Sequence, residues 1–419
     1  MEKQEAKRPQ WKKFLKQLGP GLITGASDDD PSGIVTYTQA GARFGPFLLW
    51  TALFTYPLMV VVQEMCARIG LVTRHGLAGT IRQYYPKWVL YMVVLISAPS
   101  IIMNIGADIA GMGAVANLLF PKIPSYVFSI LFTIALLYMT IAWNYHRIAT
   151  ALKWLCISLL AYILIPFLTH TDWPKVIRHT IIPTWKNDTE YWMALVGILG
   201  TTISPYLFFW QASMEVEEVN QRHLVVDKRI MLAMESDVRT GMLLTNLVFF
   251  FIILAASNVL NNAGIFQVDT VEDAAKALQP LAGNAAYLLF ALGVMGTGCL
   301  AIPVLGGALS YMIAETFNLE QGLDKKFHEA KGFYGIMAVS LFLGLAMQTL
   351  GISPVKALIY TAILYGITAP ILIAIILLIC NNKNIMGPYT NSRMSNIMGV
   401  LTFLLMATAA VALLYYYFH

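Results

Sequence analysis

Three adjacent acids and a proline, Asp28, Asp29, Asp30 and Pro31, interrupt a stretch from Leu22 to Trp50 that is otherwise largely apolar or small. One carboxylate inside a bilayer costs roughly 2.5–3.5 kcal/mol on insertion scales, so three in a row are not there for stability. Pro31 removes a backbone donor and breaks a helix beside them. A helix broken at acids, at membrane depth, is the local chemistry of a cation site, because parted helix ends free carbonyl oxygens as further ligands. A second interruption, Gly200-Thr201-Thr202-Ile203-Ser204-Pro205-Tyr206, is also small and polar and also ends at a proline.

The elements that must position these residues are membrane spans. The chain has 419 residues, 58% of them hydrophobic and 12% charged, with mean hydropathy +0.64. Soluble domains carry about 25% charged residues. A span needs about 20 apolar residues, and the sequence predicts eleven: 19–43, 46–69, 89–119, 124–142, 149–169, 190–213, 240–262, 283–312, 333–351, 356–380 and 395–418. The connections are short and leave no separate soluble domain. The net charge of +5 is spread over loops, which is no nucleic-acid surface. The bilayer is the expected partner, and no oligomer is required. Cys66, Cys156, Cys299 and Cys380 lie far apart and read as small buried hydrophobes, not a disulfide framework.

Orientation follows from Lys and Arg. With the N-terminus inside, the inner segments hold twenty of them, including Lys3 to Lys16, Arg74, Arg82, Arg147, Lys153, Arg222 to Arg239, and Lys325 to Lys331. The outer segments hold seven, among them Arg43, Lys122 and Lys175. An odd span count then puts His419 outside. The polar, basic N-terminus shows no signal-peptide pattern and is expected to stay in the cytosol.

Five spans separate the first interruption from the second, so span 6 repeats span 1 with opposite topology. Paired interrupted segments in two halves point to a midplane site between inverted repeats. The expected organisation is a basic tail over 1–18, a first repeat over 19–169, an outer loop over 170–189, a second repeat over 190–380, and a loop with a last span over 381–419. The plainer alternatives are two ordinary proline kinks, or a first segment that never crosses and leaves its acids in water.

At this point the residues resemble the Nramp family of divalent-metal transporters. Gly19-Pro20-Gly21 with Asp30-Pro31 nine residues on matches the opening of that family's first span. Gln39-Ala40-Gly41, Phe44-Gly45 and Leu48-Leu49-Trp50 continue it, and Ala67-Arg68-Ile69-Gly70 matches the end of its second span. The stretch from Ile198 to Tyr206 stands where its sixth span breaks, and Asn117 to Phe120 resembles the end of its third. The resemblance covers most of the chain. It implies an all-α polytopic membrane protein of the LeuT type: two inverted five-helix repeats plus an eleventh helix, with helices 1 and 6 broken.

The resemblance also implies a site, and this chain departs from it. The family's ligand aspartate is Asp30. Its asparagine position is Gly33, its methionine position is Ser204, and the histidine linked to proton movement is Tyr206. Asp108 matches one of the span-3 acids, and Ala362 stands at a span-10 glutamine position. The candidate metal residues are therefore Asp30, Ser204, Thr201, Gly33, Asp28 and Asp29, with Tyr206 and Asp108 as candidates for a proton or ion pathway. A thioether favours soft ions, and a hydroxyl in its place removes that preference. A roomier, oxygen-only site suits a hydrated hard ion held by one or two carboxylates. The expectation moves toward Mg²⁺, with Mn²⁺ second; a side branch of the family that resembles this pattern carries Mg²⁺. Proton coupling becomes doubtful, because tyrosine (pKa about 10) does not titrate near neutrality, although three adjacent carboxylates could share a proton.

Other polar residues have plainer readings. Glu64 is expected to pair with Arg68 one turn later. Glu215, Glu217 and Glu218 read as a solvated helix end, and Gln39 and Asn104 as interhelical glue. Trp50, Tyr91 and Tyr415 to Tyr417 read as interface-belt residues. The alternatives for function are a carrier of another solute on the same fold, a sensor or scaffold that transports nothing, and, least of all, an intramembrane aspartyl hydrolase. No enzyme is expected.

Overall fold

The computed structural model describes residues 19–142 and 157–418. Cys156, Arg147, Lys153, the basic residues up to Lys16 and the first part of the fifth expected span lie outside them. The first break forms for a local reason. Helix α1 covers Pro20–Asp28 and α2 covers Pro31–Phe44. The residue before a proline is pushed out of the helical region, and Asp30 is extended (φ −73°, ψ 169°). Pro31 then sits at the first position of α2, where a missing N–H costs nothing. Gly45, at φ +58°, ends α2, and the turn through Pro46 delays α3 to Trp50–Thr73.

Helices α4 (Leu77–Tyr84), α5 (Lys87–Leu119) and α6 (Ser125–Ala142) follow, then α7 (Ala161–Leu168) and α8 (Trp173–Ile181). The second break repeats the first. Helix α9 (Thr189–Thr202) stops, Ser204 is extended (φ −74°, ψ 124°), and Pro205 opens α10 (Pro205–Arg222). Helix α11 (Lys228–Ala256) starts well before the expected edge of its span, because Asp227 caps it through the N–H groups of Arg229 and Ile230, both 2.9 Å away. Two short pieces, α12 (Val271–Lys276) and α13 (Gln279–Ala282), lead to α14 (Ala286–Phe317), α15 (Lys331–Ala346), α16 (Pro354–Asn381), α17 (Lys383–Met386) and α18 (Arg393–Phe418). Among the described residues nine stretches are long and apolar enough to cross a membrane, counting α9 and α10 together. The broken pair α1–α2 is not among them, since neither piece is long enough alone.

The broken helices lie in the middle of the bundle. Helix α1 packs on α11, α2 on α11 and α16, α9 on α16, and α10 on α3 and α14. Glycine lets several of these crossings close. Any side chain on Gly25 would collide with the backbone of Gly241, and any on Gly200 with the backbone of Ala362 and Gly366. These contacts bring α1 against α11 and α9 against α16 at the level of the breaks.

Several polar residues do something other than expected. Glu64 pairs with Arg239 of α11 (2.6 Å), not with Arg68, which donates to Asn391 Oδ1 at 3.0 Å. A neighbouring helix supplied the closer guanidinium. Glu215 and Glu217 are not solvated. Glu215 is buried and accepts from Gln211 Nε2 at 2.9 Å, while Glu217 accepts from Tyr311 Oη and from Leu323 N. Only Glu218 behaves as a helix-end acid, paired with Arg222 at 2.9 Å. Trp50 is buried against Trp185, whereas Tyr91, Tyr415 and Tyr417 are exposed. Gln39 fastens the segment beyond α11, accepting from Val268 N at 2.8 Å.

Candidate functional site

Asp30 is the cap of α2, and its two carboxylate oxygens have separate partners. Oδ1 accepts from Gly33 N at 2.7 Å, and Oδ2 from Asn104 Nδ2 of α5 at 2.9 Å. The group is 2% exposed, and the positive end of α2 faces its charge. Asn104 is in turn held from α16, its Oδ1 accepting from Thr361 Oγ1 at 3.1 Å. Three elements therefore meet on one carboxylate.

The two breaks touch. A Cβ on Gly33 would lie 3.2 Å from Thr201 Oγ1 and 3.3 Å from the Tyr37 ring. Tyr37 Oη and Thr202 Oγ1 are 3.1 Å apart. Tyr206 Oη donates to Ser27 O, at the end of α1, at 3.0 Å. Ser204 faces Asp28, yet donates its proton to Thr201 O (2.7 Å), with Gly200 O at 3.2 Å. A hydroxyl that donates to its own break turns lone pairs toward anything else that approaches.

Asp28 and Asp29 face Thr245 of α11 while staying near enough to feel the Asp30 charge. Thr245 Oγ1 is 2.8 Å from Asp29 Oδ1 and 3.4 Å from Asp28 Oδ2. One hydroxyl has one proton to give, so it cannot serve both. Asp28 Oδ1 is buried with no hydrogen-bond partner, and so are both oxygens of Asp108. Asp108 is 0% exposed, and the charge it feels most is that of Asp30. Buried carboxylate oxygens without donors are costly, and among the described residues no ion pair neutralises Asp28, Asp29, Asp30 or Asp108.

The donor set is oxygen and amide only. Among the described residues no three His, Cys, Asp or Glu side chains converge in the manner of a closed metal cage. Gly33 brings Asp30 to Thr201 where the breaks meet, Ser204 is bonded to Thr201 O and faces Asp28, Asp29 meets Thr245 of α11, and Asp108 and Tyr206 lie near enough to feel the Asp30 charge. The arrangement can offer a cation one carboxylate with hydroxyl and amide oxygens, which leaves coordination places for water. Thr245 and Thr361 were missed by sequence reasoning, since one threonine in an apolar helix looks like any other. Asn104 was noticeable as a lone amide in an apolar span, but nothing in its spacing aimed it at Asp30.

The chain is similar to known proteins along almost its whole length. The family model described as natural resistance-associated macrophage protein-like, or Nramp, matches residues 21–416. The divalent metal cation transporter MntH of Caldanaerobacter subterraneus subsp. tengcongensis is 26% identical over 400 residues, covering 93% of this chain and 90% of that one. MntH of Clostridium acetobutylicum is 25% identical over 416 residues, covering 96% and 91%. Among solved structures, the manganese transporter of Eremococcus coleocola superposes with a TM-score of 0.78 at 18% identity, covering 98% of this chain and 88% of that one. Mhp1, a nucleobase-cation-symport-1 family transporter, superposes with a TM-score of 0.55 at 12% identity, covering 94% and 92%. The fold is all-α and of the LeuT type, and the molecule is an integral membrane protein.

Proposed function

The chain belongs to the Nramp family, and from that membership and the geometry of the breaks we propose that it carries divalent cations into the cell by alternating access. The relatives named above are called divalent metal cation transporters. The single observation that carries the reading is the buried Asp30 carboxylate at the junction of two broken helices, held by Asn104 and Gly33. Asp30, Ser204, Thr201 and the backbone at Gly33 form the seat, with Asn104 as a further oxygen donor once its amide turns over. Asp28 and Asp29, turned toward Thr245, supply negative potential from the α11 side. Asp108 lies on the ion's path beside Asp30.

The ion we propose is Mg²⁺, with Mn²⁺ second. Ser204 stands where a thioether would add soft character, and oxygen ligands favour hard ions. A seat with few protein ligands fits an ion that keeps several of its waters and binds through one or two carboxylates. We propose that no proton travels with it. The Tyr206 hydroxyl is engaged in holding α10 to the end of α1. The orientation is N-terminus inside and C-terminus outside, in a bacterial cytoplasmic membrane.

Purified protein in liposomes is expected to admit Mg²⁺ and Mn²⁺ down a gradient, read by an entrapped indicator, with no internal acidification on a pH dye. No entry of either ion would favour a sensor or scaffold on the same fold. Entry with acidification would overturn the passive reading alone.

A further inference from the structure

A cleft of about 590 Å³ opens between α3, the first half of α11 and the turn into α18, and it shares no residue with the two breaks. Its lining changes character along its length. Tyr56, Pro57, Val60 and Val61 form one end of the α3 wall, and Glu64 and Arg68 the other. The helix rises about 18 Å between Tyr56 and Arg68, more than half of a hydrocarbon core of about 30 Å. The cleft therefore runs from one membrane face toward the midplane, charged at the face and apolar in depth. Ser392 and Ser395 line it from the turn into α18, and Lys228 from the start of α11. On its lipid side Leu232 and Met394 are among the more exposed apolar residues.

The charges do not balance. Three cations, Arg68, Lys228 and Arg239, line the cleft with two carboxylates, Glu64 and Glu235. Both carboxylates engage Arg239, at 2.6 Å and 3.3 Å. Arg68 is only 7% exposed and, among the described residues, makes no ion pair; Asn391 Oδ1 takes one of its five N–H groups. Glu64 lies near enough to feel its charge, but a buried guanidinium without a direct ion pair still has donors that an anion would satisfy.

We propose that this cleft seats one anionic glycerophospholipid, with its phosphate on Arg68 and Lys228 beside the Ser392 and Ser395 hydroxyls, which lie 3.0 Å apart, and an acyl chain along Val61, Val60, Tyr56 and Met398. Basic pockets between membrane helices take anionic headgroups, and the apolar half of the cleft has no use for a free phosphate. The seat is independent of the cation reading.

The test is native mass spectrometry of the full-length protein offered equal amounts of phosphatidylglycerol and phosphatidylcholine. One phosphatidylglycerol is expected to be retained in preference, and excess inorganic phosphate is not expected to displace it. Lys228→Gln, on the exposed rim where folding is not at stake, is expected to weaken retention about fivefold. Arg68→Gln keeps a donor for Asn391 and is expected to weaken it about tenfold or more. Equal retention of the two lipids, displacement by phosphate alone, or unchanged retention in Lys228→Gln would each overturn the proposal.

Discussion

Replacing Asp30 by asparagine removes one charge and little else. Asparagine caps a helix about as well as aspartate, and its oxygen retains the 2.7 Å bond from Gly33 N. The new amide would meet Asn104 Nδ2 donor to donor, where a 2.9 Å bond now stands. Asn104 relieves this by turning its own amide over, giving its oxygen to position 30 and its NH₂ to Thr361 Oγ1. That hydroxyl accepts as readily as it donates, and its one proton is then free to go to Leu358 O, 2.8 Å away. Folding is expected to change by less than about 1 kcal/mol. The loss falls on the cation. At 4 Å and an effective dielectric constant of about 20, a pair of unit charges is worth about 4 kcal/mol, so a divalent ion gains about 8 kcal/mol from the carboxylate. If partial dehydration offsets two-thirds of that, about 2.7 kcal/mol remains, which is about a hundredfold in affinity. Isothermal titration with Mg²⁺ and liposome uptake below saturation should both show this, with thermal unfolding nearly unmoved. Affinity and uptake within about threefold of the parent protein would refute the idea that this charge holds the ion.

Other changes have definite directions. Ser204→Met is expected to raise Mn²⁺ and Cd²⁺ affinity relative to Mg²⁺ in the same titration, because it adds a soft donor at the second break; an unchanged order of ions would contradict the ligand argument. Gly33→Asn must push Thr201 Oγ1 and the Tyr37 ring from 3.2 and 3.3 Å and is expected to cost about 1–3 kcal/mol in thermal unfolding. Glu64→Gln breaks the ion pair with Arg239 and is expected to destabilise by about 1–3 kcal/mol without altering the choice of cation. In the loop helix α12, burial alone would raise the Asp273 carboxyl, but bonds from Lys276 Nζ (2.7 Å) and Thr270 Oγ1 (2.8 Å) outweigh it and hold the group below the usual carboxylate range. A depressed carboxylate stabilises the folded form above its unfolded pKa and loses that contribution as pH falls through its folded pKa. Amide protection in 271–276, taken as exchange relative to the intrinsic rate at each pH, is therefore expected to fall only below about pH 4, and a loss of protection already near neutrality would refute it.

How much of this was legible beforehand follows from the range of each force. The spans were legible because the bilayer imposes a long, uniform demand on composition, and a window of apolar residues satisfies it locally. Both breaks were legible because Pro31 and Pro205 act on the residue before them, so Asp30 and Ser204 are extended whatever surrounds them. The sequence by itself thus determined the class of fold, the two interrupted helices and the one carboxylate that caps the second half of the first. It did not determine partners. Glu64 chose Arg239 over the arginine one turn away, Asp28 and Asp29 turned to Thr245 while Asp30 turned to Asn104, and Thr361 closed the chain of bonds from α16. Those choices join residues far apart in the chain, and helix crossings set by close contacts such as Gly25 on Gly241 decide them. Which side chains meet across such crossings is a property of packing, and only the tertiary structure carries it.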